Sequence, residues 1–510
     1  MRSRTFWIVA GLTALGALLR FATLGDQAYH HDEIVTASRV LRVGFGHAMD
    51  AVGFSESAPP LYYALAWLWT QVTGNGEWGL RFLSALAGVA TIPVAFFVGR
   101  ELRGERAGVI AAALVAVNPM LLWYSQEARA YALLGLFCAL SLLFCVRVLQ
   151  TPSCRFSSDS EENRQLGVEG EGGSRRDFVL WGVFSALALA THYFAVFPLI
   201  AEVVLLARRR GRAILSGLWI VALAVVLLAP LAIHQMSYGH AEWIGKFSLG
   251  HRVAEVWITF MVGETGDIIG RVEQWQPALL PLVLAAAAFA LLLARGSRSE
   301  RRAVFVPLAV AAVTLGIPLA LAILSAGKDF VLTRNLLPAL VPLLVAVAVA
   351  LSSERARRLG TAIAVVLVAY SFGFSVYAST APELQRPDWR AVADHLGEPD
   401  GPRATVTWVL GEAPLRFYLS TGAIQLKASE GYDWLVREIA FVSMGETPPP
   451  PRRLLGPGFR ETGAEDVGPL FIRRFRVPGP GLVPLRLRAL RHAQTNFRNN
   501  GVLLDGVGPD

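Results

Sequence analysis

Three groups of polar side chains sit where long apolar runs of this chain stop, and each is able to handle charge. The first is His30-His31-Asp32-Glu33, soon after the apolar run that begins at Phe6. A carboxylate there can take a proton from an attacking hydroxyl group as a general base. Adjacent imidazoles and carboxylates also suit a divalent cation, although neighbouring side chains on one helix diverge. A third reading is structural: Asp32 caps a helix over residues 33–42 that lays Ile34, Val35, Val40 and Leu41 on the membrane surface. The second group is Glu127, Arg129 and Tyr131 in the run Tyr124–Tyr131. It suits a polar or anionic ligand, or else an aromatic belt with a local Glu127–Arg129 pair. The third is Lys328-Asp329 followed by Arg334-Asn335, with a snorkelling arginine as the alternative. His192 is a weaker candidate, since a packed histidine would look the same.

The elements that must position these groups are membrane helices. Of 510 residues, 54% are hydrophobic and 17% charged, whereas soluble domains carry roughly 25% charged residues. Runs with few charges predict about eleven spans: residues 6–21, 79–98, 108–124, 131–148, 178–190, 193–207, 213–233, 277–294, 303–324, 332–351 and 361–377. Arginine clusters at 2–4, 100–106, 175–176, 208–212, 295–302 and 355–358 then all fall on one side, which makes the N-terminus cytoplasmic and the C-terminus extracytoplasmic. The net charge of +8 is thus spent on topology, and no nucleic-acid partner is expected. The first apolar run reads as an uncleaved helix. Pro59–Val72 would reverse every later cluster if it crossed, so it reads as an interfacial helix. Cys138, Cys145 and Cys154 lie in or beside membrane or cytoplasmic segments, and no structural disulfide is expected.

The resulting expectation is a mainly α polytopic bundle over residues 1–378, with a first outer loop at 22–78 and a flexible cytoplasmic loop at 150–177. A small extracytoplasmic α/β domain follows over 379–477, and then a disordered tail over 478–510. In the domain, Pro387-Asp388-Trp389 opens a helix, residues 404–410 and 470–475 read as strands, and 412–419 as a helix.

The outer-face residues, in their order and spacing, resemble the lipid-phosphate-sugar-dependent membrane glycosyltransferases of the GT-C class. The likeness is to the bacterial relatives of the protein O-mannosyltransferases and the aminoarabinose transferase. It is carried by Asp32-Glu33, Ala58-Pro59-Pro60-Leu61-Tyr62-Tyr63, Arg81–Gly88, Tyr124–Tyr131, Thr191-His192-Tyr193, Arg334–Pro338 and Asp388-Trp389-Arg390. One departure is Ala58, where relatives often have histidine; beyond Leu410 no motif matches. The resemblance implies a GT-C-like fold and an acidic catalytic base in the first outer loop, which Asp32 matches with Glu33 beside it. The chemistry fits, because a phosphate leaving group needs cations rather than a general acid. Arg129 and Arg334 would hold the phosphate with Lys328 helping, and Glu127 would orient Arg129 or contact the sugar. Tyr131 and His192 complete the binding set.

The expected reaction moves a sugar from a polyprenyl-phosphate donor to a hydroxyl of a glycan, lipid or protein, with inversion through an oxocarbenium-like transition state. No nucleotide motif is present and no cofactor is required; the cation at His30, His31 and Asp32 is the alternative. Composition points to a bacterial plasma membrane. The rival reading is a transporter or lipid flippase, disfavoured because the spans lack mid-membrane charges and no internal repeat is evident.

Overall fold

In the computed structural model the described residues are 3–41, 44–151, 169–238, 244–264, 275–324, 329–419, 422–426, 434–450, 455, 458–485, 490 and 500–506. The chain divides into two compact units. One comprises Met1–Leu24 and Val43–Ala378, the other Gly25–Arg42 and Ser379–Asp510.

The first unit is helical. Helices stand at the positions read from the sequence: Ser3–Phe21, Glu77–Arg103, Glu105–Val117 with Pro119–Ser125, Tyr131–Gln150, Glu169–Thr191, Val196–Arg210, Leu215–Met236, Gln276–Arg295, Phe305–Leu324, Leu340–Leu351 and Arg357–Thr380. Among the described residues, eight helical runs are long and apolar enough to cross a bilayer, or nine when a bent pair counts as one span. This makes the chain a multi-pass membrane protein. The count differs from eleven because Tyr193–Met236, two helices in sequence, is one such run and Glu169–Thr191 is not included. Leu61–Thr73 has 13 residues and is not among the eight. The expected cytoplasmic loop is shorter than 150–177, since helix resumes at Glu169; residues 152–168 lie outside the described ones. Cys138 and Cys145 are buried free thiols.

The bent pair is the feature that matters most for the site. Helix Glu105–Val117 breaks at Asn118, and Pro119–Ser125 leaves at 58°. Asn118 caps the new helix by accepting from the Leu121 N–H at 3.0 Å, and Pro119 fits its first turn. Proline has no N–H, so the Val115 carbonyl loses its helical donor, and the bend also strands that of Ala116. Unsatisfied carbonyls in a membrane interior are costly. The fully buried Arg20 supplies the missing donors. It donates to the carbonyl oxygens of Ala116 at 2.9 Å and Val115 at 3.2 Å, and to Ser125 Oγ at 3.0 Å. Space for that guanidinium comes from Gly88, where a Cβ would lie 2.0 Å from Ser125 Oγ and 2.9 Å from Arg20 Nε.

The second unit is built on a six-stranded mixed sheet in the order β2-β8-β1-β4-β6-β5. Its strands are β1 (Arg403–Trp408), β2 (Ile424–Gln425), β4 (Glu438–Met444), β5 (Arg460–Val467), β6 (Leu470–Arg476) and β8 (Asn500–Asp505), while β3 (Leu435–Val436) pairs with β7 (Val483–Pro484). β1 runs parallel to β4 and antiparallel to β8. Helices Trp389–Leu396 and Val409–Tyr418 join one apolar cluster with the sheet, and a second cluster includes Leu455, Leu485 and Leu490.

Two sequence expectations change here. Within 478–510, read as a disordered tail, Asn500–Asp505 is a fully buried strand between β2 and β1. The basic and glycine-rich flanks mask a short apolar core, Val502-Leu503-Leu504. Residues 25–41 also group with this unit rather than with the bundle, as Ala28 joins the Trp389 cluster.

The Arg20 arrangement has a direct test. Each carbonyl left without a donor costs about 1–3 kcal/mol. Arg20→Leu and Gly88→Val should therefore lower the thermal midpoint of the purified protein by several degrees, while Leu18→Ala, at an exposed position, should not. Unchanged melting in both of the first two variants would remove Arg20 from its structural role.

Candidate active site

In the helical unit, the bend delivers the chain into the turn that carries Gln126, Glu127 and Arg129. Gln126 fastens this turn to the end of the first helix, its Nε2 donating to the Arg20 carbonyl at 3.1 Å and to Thr23 Oγ1 at 2.9 Å. The next helix begins at Tyr131, whose ring lies 4.9 Å from Tyr124 and 5.6 Å from His192. His192 caps a short turn through its Nδ1, which accepts from the Phe194 N–H at 3.3 Å. Phe194 in turn meets Phe330 edge-on at 5.6 Å, just ahead of the 3-10 turn Thr333–Ala339 that carries Arg334. Residues from four separate stretches of sequence are thereby gathered.

Electrostatics show how tight the gathering is. His192 is buried, and burial together with the charges of Arg129 and Arg334 pushes its pKa down to about 3. The imidazole is neutral at physiological pH and feels the charge of both guanidinium groups. Tyr124 lies within electrostatic range of Glu127, Glu264 and Arg334, and its hydroxyl donates to Glu264 Oε1 at 2.7 Å.

Arg129 makes a pairing the sequence did not suggest. It forms a two-pronged bond with Glu56, at 3.0 Å to Oε1 and 2.9 Å to Oε2. Tyr63 donates to the same carboxylate at 2.7 Å. Burial first, then Glu56, holds the Tyr63 hydroxyl well above its usual pKa against the opposing pull of Arg129, so it stays a donor. Glu56 follows the helix Phe45–Ser55 and is 3% exposed. Its signal in the sequence was a lone acid three residues ahead of Pro59-Pro60. Arg81, from another of the motifs, is buried and donates to the Leu24 carbonyl at 3.2 Å. Asp329 is paired with Arg252 at 2.7 Å; burial raises its pKa, but that pairing and the Val331 N–H more than offset the effect. Lys328 lies outside the described residues.

Asp32 and Glu33 belong to the second unit. The helix there starts at His31, so the cap is His30 and not Asp32. Glu33 closes a capping box by accepting from the His30 N–H at 3.0 Å, is fully buried, and faces Arg386 at 3.7 Å. These contacts give Glu33 a structural task, whereas Asp32 is only half-buried. A π-helical turn, Val35–Val40, replaces the expected amphipathic helix, and Ile34, Val40 and Leu41 are buried in protein. The segment is fastened to the rest of the unit by several bonds. Tyr29 N–H donates to Tyr418 at 2.8 Å, Arg386 N–H to Gln27 at 3.3 Å, and Arg390 to the Asp26 carbonyl at 3.0 Å. Burial, opposed by Asp32, pushes the pKa of His30 down to about 4. Among the described residues no group of three or more His, Cys, Asp or Glu side chains is placed to hold a metal ion, so the His30–His31–Asp32 cation alternative gains no support from geometry.

Comparisons with known proteins bear on this arrangement. Residues 57–156 match the family model described as dolichyl-phosphate-mannose-protein mannosyltransferase. No curated protein matches. Among solved structures, the chain is similar to ArnT from Cupriavidus metallidurans bound to undecaprenyl phosphate. Identity is 15% and the TM-score 0.54, over 92% of this chain and 98% of that one. The apo state of the same protein matches at 16% identity and TM-score 0.50, over 82% and 85%. The chain has the fold of these ArnT structures, and the family model matched at residues 57–156 is one of membrane glycosyltransferases.

Proposed function

We propose that this protein transfers a sugar from a polyprenyl-phosphate carrier to an acceptor hydroxyl on the outer face of a bacterial plasma membrane, with its N-terminus cytoplasmic. The observation that carries the reading is the convergence of Arg129, Arg334 and a neutral His192 around Tyr124 and Tyr131, supported from beneath by the broken helix. Two guanidinium groups in a partly dry setting suit a phosphate, whose charge grows as the glycosidic bond breaks. The solved relative with undecaprenyl phosphate supports a ligand of that chemistry.

In this mechanism Asp32 takes the proton of the acceptor hydroxyl as its oxygen attacks the anomeric carbon, and the carrier phosphate leaves on the opposite face, so configuration inverts. Arg129 and Arg334 neutralise the departing phosphate. Glu56 holds the plane of Arg129 fixed through both of its oxygens, which lowers the orientational cost of binding. Glu127 contacts the sugar or its phosphate, Tyr131 packs against the donor, and His192 stays neutral between the two cations. Lys328 is a further cation for the phosphate. The domain at 379–510 holds the Asp32 segment, and the acceptor is a glycan, lipid or protein.

Transfer assayed in membranes tests the roles separately. Asp32→Asn should cut kcat by about a hundred- to ten-thousand-fold with donor KM little changed. Arg334→Gln should raise the donor KM as well as lower kcat. Full activity in Asp32→Asn would remove that residue from the mechanism.

The neutral state of His192 gives a pH test. A histidine whose folded pKa is depressed to about 3 binds fewer protons than its unfolded counterpart, whose value is about 6.5. Stability should therefore be full above about pH 6.5 and fall as the pH drops toward the folded value. Thermal midpoints measured from pH 7.5 to 5 should decline, and His192→Phe should flatten that decline. An identical slope in the variant would show that the imidazole is charged or accessible in the native protein.

A further inference from the structure

The last membrane helix, Arg357–Thr380, is riveted to the helix Glu105–Val117 at its two ends and stands off from it in between. At one end Arg106 donates to the Arg357 carbonyl at 2.7 Å, to Thr361 Oγ1 at 2.9 Å and to the Ser352 carbonyl at 3.2 Å. At the other, Ser375 Oγ donates to the Val117 carbonyl at 2.8 Å. Between the rivets lies a cleft of about 640 Å³, closed on its third side by the first helix. Its walls are Val109 and Ala113 on one side and Val365, Val368 and Phe372 on the other, with polar groups only at the Arg106 end.

Such a gap is not left empty in a bilayer. Its walls forfeit dispersion contacts unless hydrocarbon fills it, and water has nothing to bond to along an apolar wall. The mouth specifies what enters. Glu105 is engaged by Thr5 at 2.7 Å. The exposed Arg357 and Arg358 precede Thr361, which lines the cleft, by four and three residues and share its helix face. A basic mouth above an apolar slot between membrane helices is the chemistry of an anionic lipid site. This mouth lies at the start of the helix Glu105–Val117, and the Tyr124–Tyr131 turn follows its far end. The cleft is therefore separate from the candidate active site.

We propose that this cleft holds one anionic phospholipid, an acyl chain lying between the two helices and the phosphate at Arg357 and Arg358.

The full-length protein, extracted in mild detergent and exchanged with equal amounts of phosphatidylglycerol and phosphatidylethanolamine, is to be examined by native mass spectrometry. The expected result is one phosphatidylglycerol per chain surviving delipidation. Val365→Trp, a change at a position 61% exposed, should abolish retention by filling the slot. Arg357→Gln with Arg358→Gln should weaken it by about fivefold for each arginine. Unchanged melting and monodispersity in the three-residue set will show that the fold is intact; if Val365→Trp fails to fold, Ala113→Trp replaces it. The proposal is overturned by retention of no lipid, by equal retention of phosphatidylethanolamine, by a polyprenyl chain as the resident molecule, or by full retention in the filled variant.

Discussion

Breaking a membrane helix leaves carbonyl groups with no water at hand to satisfy them, and the bend after Val117 exists because Arg20 brings its donors to that spot. Much of the helical unit's outer geometry follows from this. The same guanidinium reaches Ser125, and the neighbouring Gln126 ties the next turn back to the helix that carries Arg20. Had the helix continued straight, Tyr124 and Arg129 would project along its axis. The bend turns the chain instead, so that Tyr131 can start a new helix with its ring against His192. Gly88 is part of the same device, since a side chain there would occupy the place of Ser125 Oγ.

Asp32 and Glu33 have different surroundings, although the sequence sets them side by side. Glu33 is consumed by a capping box and by Arg386, while Asp32 remains partly accessible. A helix period allows the division, because adjacent positions are about 100° apart and need not share an environment. The Asp388-Trp389-Arg390 motif gains a physical meaning as well. Asp388 caps a helix, Trp389 anchors an apolar cluster, and Arg390 grips the carbonyl of Asp26. Residues 364 positions apart thus share one packed unit.

How far the sequence foretold this depends on the range of the interactions involved. Span positions were legible from local hydropathy alone, as were the helix opened by Asp388 and the strands at 403–408 and 470–476. The pairing of Arg129 with Glu56 was not, because it joins residues 73 positions apart and a lone carboxylate between two serines announces no partner. Arg20 lies near the end of the first apolar run, and only the three-dimensional position of Val115 and Ala116 explains it. The buried strand at Asn500–Asp505 was hidden by flanks of the opposite character, and the cap at His30 was obscured by Asp32, a better capping residue two positions further on. Of the motif residues, Tyr131 has its ring against Tyr124 and His192, whereas Asp32 and Glu33 group with the second unit.

The bonds between Tyr29 and Tyr418 or Asp26 and Arg390 link positions 389 and 364 residues apart. The early segment is therefore synthesised long before its packing partners exist. Its bonds to Tyr418 and Arg390 can form only after the helix Arg357–Thr380 has been made. The segment that bears the proposed base can therefore reach its packed state only after Arg390 and Tyr418 have been made.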